Sequence, residues 1–153
     1  MKKLLFGLIF VPLLAIAGPK DRVVISATIG QLPQTYSLGI SKGVVESTAA
    51  DILKSKGWSR VSSAEDARNG AELLITVHEG GRDMNGPQAA VLVVECALYV
   101  EAKTPIATKL DRLAIGNNVF SGLYSGDANF VSTNIRSALQ DHLQKCLKGL
   151  FGG

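Results

Sequence analysis

Between Ala90 and Glu101 the side chains alternate: Leu92, Val94, Cys96, Leu98 and Val100 fall on one side, and Glu95, Tyr99 and Glu101 on the other. A period of two marks a half-buried β-strand, and here it puts a cysteine on the apolar side. The second cysteine obeys a different period. Between Phe130 and Leu150 a stripe of Ile135, Ala138, Leu139, His142, Cys146 and Leu150 recurs at helical spacing, which predicts a long amphipathic closing helix. These are the only two cysteines in the chain. If the helix covers the sheet, the two apolar surfaces meet, and a Cys96–Cys146 disulfide becomes geometrically reasonable. Two separately buried thiols and a metal or redox role are the alternatives.

The remaining elements fill in around that pair. Val23, Ile25, Ala27 and Ile29 alternate with Ser26 and Thr28, giving a first strand over Arg22–Ile29. From Ser41 the period becomes helical through Val45, Ala49, Ile52 and Leu53, and Gly57 stands where a left-handed C-terminal residue belongs. Ser63–Asp66 reads as a capped turn ending near Asn69-Gly70. Leu73–Glu79 is a short apolar strand, with turn-rich Met84–Pro87 after it. Ala102–Pro105 predicts a turn and Ile106–Ile115 a returning strand, whose phase slips near Asp111-Arg112 as at a β-bulge. Residues 116–129 read as a loop. The expected order is β-α-β-β-β-α. It describes one α/β (α+β) domain, a two-layer sandwich with a four-stranded mixed sheet and both helices on one face.

The amino-terminal residues read as an export signal. Lys2 and Lys3 supply a positive start, Leu4–Leu14 an apolar stretch, and Ala15-Ile16-Ala17 a small-residue cleavage box. Leu4–Ala17 is shorter than the roughly 20 residues a membrane-crossing helix requires. Residues 1–17 are therefore expected to be a cleaved signal peptide and residues 18–153 the domain, periplasmic or secreted. A lipid-anchored protein would begin its mature chain with cysteine, and that position is Gly18. Without Lys2 and Lys3 the chain carries 14 basic side chains against 13 acidic ones, so it is nearly neutral. The basic residues are scattered, which argues against nucleic acid as a partner.

Several residues invite a chemical reading. Gly39–Gly43 fits G-x-S-x-G around Ser41, the pattern of a serine-hydrolase nucleophile. A nucleophile elbow, however, needs a buried strand running into the turn, and Gln34–Leu38 makes a poor one. Ser41 is better placed as the N-cap of the helix that follows, its hydroxyl accepting a bond from a free backbone N–H. His142 and Cys146 lie four apart, with His78 and Glu79 elsewhere. Zinc takes three or four converging ligands, so neither a metal nor any other cofactor is expected. Glu65-Asp66, Glu95 and Glu101 form no pair spaced for acid–base work. Within residues 116–129, Val119, Phe120, Leu123 and Tyr124 stand among glycines and polar residues. They are read as an interaction loop, against the alternative that they tuck into a satellite core.

Leu53…Gly57-Trp58 followed by Ala71-Glu72-Leu73-Leu74-Ile75-Thr76-Val77 is similar to a pattern in small bacterial envelope proteins related to the TolB amino-terminal domain. That resemblance implies a hairpin, a terminal helix and a non-enzymatic accessory role in envelope complexes. It carries over no binding residues. The expectation is an exported accessory protein that binds an envelope or extracellular protein. A small periplasmic hydrolase or ligand-binding protein using Ser41, His78 or His142 is the second reading, and a secreted inhibitor or effector the third.

Overall fold

The computed structural model describes residues 22–63, 65–67, 71–83, 88–103 and 110–151. The expected signal segment 1–17, the Asn69-Gly70 and Met84–Pro87 turns, Thr104-Pro105 and the start of the returning strand lie outside the described residues.

Among the described residues seven elements follow in order: β1 (Arg22–Gln31), α1 (Lys42–Lys54), β2 (Ser59–Val61), β3 (Glu72–Asp83), β4 (Gln88–Lys103), β5 (Leu110–Gly126) and α2 (Ala128–Phe151). The strands form one mixed sheet in the order β2-β1-β3-β4-β5. β1 runs parallel to β2 and β3, whereas β4 runs antiparallel to both β3 and β5.

The α+β class agrees with the expectation from sequence, but the sheet has five strands rather than four. The extra one is β2, only three residues long, too short to produce a periodic signal. It forms because α1 delivers the chain beside β1, pairing Arg22 with Ser59 and Val24 with Val61.

A second correction concerns residues 116–129, which are not a loop. β5 continues to Gly126, and α2 begins at Ala128. Glycine, asparagine and serine dilute the strand signal there. Pairing against the strongly patterned β4 overrides weak local preference. The β-bulge also sits elsewhere. Leu98 faces Gly116 and Tyr99 faces Ala114, so Ile115, not Asp111-Arg112, is the extra residue.

Both helices cover one face of the sheet. Val23, Ile25 and Ala27 of β1, Leu73, Ile75 and Val77 of β3, and Leu92, Val94 and Cys96 of β4 point into that layer. Val45, Ala49 and Leu53 of α1 meet them, as do Ile135, Leu139, Leu143 and Leu147 of α2. Cys96 and Cys146, both fully buried, are joined in a disulfide with Cα atoms 6.0 Å apart, tying α2 to β4.

The ends of α1 are set by local chemistry. Ser41 is extended, and its Oγ accepts the Val44 N–H at 3.3 Å. At the other end Trp58 N–H bonds Leu53 C=O at 3.0 Å and Gly57 N–H bonds Lys54 C=O at 3.1 Å. This is the Schellman pair, and it needs the positive φ of 82° that Gly57 adopts. Trp58 then packs edge-on against Phe151, with ring centroids 4.8 Å apart.

Candidate functional site

Because successive side chains in a strand point to opposite faces, the residues between those of the core form a second face with neither helix upon it. Its rows cross the sheet: Ser26–Leu74–Ala97–Asn117, then Thr28–Thr76–Glu95–Val119, then Gly30–His78–Val93–Ser121, then Gly80–Val91–Leu123. Val91, Val93 and Leu74 are half-buried by their neighbours, whereas Val119 and Leu123 are 57% and 73% exposed. The Asn117 amide donates to Glu95 Oε1 at 3.0 Å across the outer two strands. The result is a broad surface of β-branched and hydroxyl side chains with an aliphatic strip along β5.

The expected interaction residues divide between the two faces. Leu123 lies on the uncovered one. Phe120 and Tyr124 point instead toward α2, where both pack against the core. There they flank His142, which is 93% buried: the Tyr124 hydroxyl and His142 Nε2 share a hydrogen bond of 3.3 Å, and both ring centroids lie 6.4 Å from the imidazole. Replacing Phe120 or Tyr124 therefore disturbs packing under α2 and does not probe a docking loop.

His78 and His142 do not come together. His78 is exposed on the uncovered face over Gly30, and His142 belongs to the helix layer. Ser41 Oγ is engaged in its capping bond. Among the described residues, no group of three or more His, Cys, Asp or Glu is placed to hold a metal ion. No helix among them is long and apolar enough to cross a membrane.

Glu79 is almost wholly buried at the far end of β3. Its Oε1 accepts the Ser37 hydroxyl at 2.6 Å and its Oε2 the Leu38 N–H at 3.0 Å. Tyr36 and Gly81 exchange two backbone bonds, of 2.8 and 2.9 Å, and a Cβ on Gly81 would overlap the Tyr36 ring. Glu79 thus straps residues 32–41 across the end of the sheet and delivers Ser41 to α1. Beside this strap a cleft of about 430 Å³ opens between Leu38, Ile40 and Val44 on one side and Ile135, Arg136 and Leu139 on the other.

Glu46 was not singled out from the sequence, although its spacing to Ala49 and Leu53 placed a carboxylate on the buried stripe of α1. Its Oε1 accepts the Ala27 N–H at 3.2 Å, on the side of β1 where β2 has already ended, and Arg60 Nη2 pairs with Oε2 at 2.6 Å. Burial alone would raise this carboxyl's pKa, but the Ala27 bond and Arg60 outweigh it and hold the value below 4.5. His142 moves the same way for another reason. Burial pushes it below 6.5, Lys145 adds to that, and Asp141 opposes it.

Both depressions make the fold acid-sensitive. For His142 the unfolded chain takes up a proton that the folded one resists, so stability falls as pH drops below about 6.5. The contribution from Glu46 is complete above about 4.5 and disappears as pH falls through its lower folded value. Urea midpoints measured from pH 8 to 4 should decline in that order, and His142→Gln should abolish the first decline. A profile unchanged by that substitution would contradict the burial of a neutral imidazole.

Neither a protein-family model nor a curated protein matches the sequence. Solved structures do share the architecture. The hypothetical protein CT253 from Chlamydia trachomatis aligns with a TM-score of 0.54 and 11% identity, over 86% of this chain and 96% of that one. A PelC dodecamer from Paraburkholderia phytofirmans aligns with a TM-score of 0.51 and 20% identity, over 85% of this chain and 86% of that one. At such identities the likeness is one of fold: a mixed sheet with two helices on one side recurs in bacterial proteins of widely different sequence.

Proposed function

We propose that the chain is an exported, non-enzymatic accessory protein of the bacterial cell envelope that works by binding another protein through the uncovered face of its sheet. The observation that carries this reading is the asymmetry of the two layers. Both helices lie on one face, while the other carries exposed Val119 and Leu123 beside half-buried Val91 and Val93. A surface of that composition favours association. Three further points support the envelope setting. Residues 1–17 have the pattern of an export signal, the buried Cys96–Cys146 bridge suits an oxidising compartment, and Leu53–Val77 resembles envelope proteins related to the TolB amino-terminal domain. The PelC structure of similar fold is a dodecamer, an instance of this architecture working within an assembly.

Site-specific photo-crosslinking in native cells tests the proposal. A photoreactive residue at Val93, on the uncovered face, should give an adduct with another exported protein. The same residue at Gln144, exposed on α2, should give little. Adducts at Gln144 alone, or none at Val93, would contradict the reading.

A further inference from the structure

We propose that β5 pairs antiparallel with β5 of a second copy of this chain, about a two-fold axis at Val119. The inference rests on the uncovered sheet being the binding surface, and it names one occupant of its edge.

β5 is the last strand in the sheet order, and its outer side meets no other strand among the described residues. Natural proteins blunt such edges with charge, proline or brevity. Here the edge strand is 17 residues long, and Ala114–Gly126 contains no charged residue and no proline. Three of the exposed large apolar side chains also lie on it: Ile115 at 60%, Val119 at 57% and Leu123 at 73%.

Their spacing identifies the occupant. Val119 and Leu123 pair with Glu95 and Val91 and so lie on the uncovered face; Ile115, the extra residue of the bulge, is exposed as well, and the three are spaced symmetrically about Val119. Antiparallel pairing centred there sets Val119 against its own counterpart and Ile115 against Leu123 of the second copy. Asn117 then meets Ser121, and Gly116 meets Gly122. On the uncovered face each of these pairs sets apolar against apolar or polar against polar, with no like charges opposed. On the helix side Asn118 meets Phe120, where the Asn118 amide is already bonded to Cys146 C=O and Phe120 packs against the core. The regular stretch Gly116–Gly122 forms the centre, and the bulge at Ile115 closes each end. A two-fold interface requires a patch that complements itself. An edge reading apolar-polar-apolar-polar-apolar about its own midpoint meets that requirement, and the result is one sheet continuous through both molecules.

Sedimentation of the natively purified exported protein, from low micromolar to near-millimolar concentration, should show a reversible monomer–dimer equilibrium. Ile115→Lys alone and Leu123→Glu alone should each weaken it more than tenfold, because each leaves a charge facing an aliphatic side chain. Mixing the two variants should restore a one-to-one dimer, since the register places Lys opposite Glu. Val119→Lys, which opposes like charges at the axis, should be monomeric throughout. Circular dichroism of each variant confirms that the exposed substitutions leave the fold intact. A wild type that stays monomeric at every concentration overturns the inference. So does a dimer that survives Val119→Lys, or charge variants that fail to recover on mixing. Crosslinking of a different protein at Val93 is read separately, so self-pairing and capture of another protein can fail independently.

Discussion

The Cys96→Ala/Cys146→Ala double variant should lose about 3 kcal/mol of stability and melt roughly 10 °C lower than the wild type. The bridge joins residues 50 apart in sequence, and closing a loop of that length restricts the unfolded chain by up to about 4 kcal/mol in the chain-entropy model. Both sulfurs are fully buried, between β4 and the inner side of α2. Small voids left by alanine add slightly to the cost. The helix itself should stay docked, because Ile135, Leu139, Leu143 and Leu147 remain in the core. The native spectrum is therefore expected to persist while the denaturation midpoint falls. Urea unfolding followed by far-UV circular dichroism makes the comparison, and equal midpoints would show that the bridge contributes nothing. Burial has a kinetic corollary: a mild reductant should act on the folded protein only as fast as α2 opens.

Glu79→Ala should destabilise the fold by a similar amount, about 3 kcal/mol. The carboxylate holds two donors that lie partly out of water, the Ser37 hydroxyl and the Leu38 N–H. Stranding a buried donor costs about 1–3 kcal/mol, and the lost side-chain volume adds a cavity term. Glu79→Gln keeps the shape and one acceptor, so it should cost about half as much. The damage should be local before it is global, because the Tyr36–Gly81 bonds anchor the same strap. Faster amide exchange across residues 36–44, with β4 unaffected, is the expected pattern. Unchanged exchange in that segment would remove Glu79 from its anchoring role.

Legibility in the sequence followed the strength of the local signal. The alternation in Leu92–Val100 and the helical stripes in Val45–Leu53 and Ile135–Leu150 were clear because one face of each is nearly pure. The capping roles of Ser41 and Gly57 were visible as residue types at the right offset from those stripes. β2 was invisible, since three residues carry no period and only the neighbouring edge of β1 makes them a strand. The part of β5 from Gly116 onward reads as a loop for a different reason. Its helix-facing side includes Asn118 and Gly122 and its outer side Asn117 and Ser121, so neither face is pure. Asn118 faces inward because its amide donates to Cys146 C=O at 3.1 Å, a long-range bond that no local pattern encodes. The candidate site suffered accordingly. Read as a loop, the segment groups Phe120 and Tyr124 with Leu123, because a loop has no sides. Strand pairing puts Val119 on the same side as Leu123 and sends Phe120 and Tyr124 to the other.

Hydrogen–deuterium exchange on the native protein, alone and in the complex isolated by crosslinking, tests the proposed interaction surface most directly. Slower exchange confined to Asn117–Ser125 and Ala89–Glu95 is the predicted outcome, with the solvent side of α2 unaltered. Protection that appears on α1 and α2 while β5 exchanges as freely as before would contradict it.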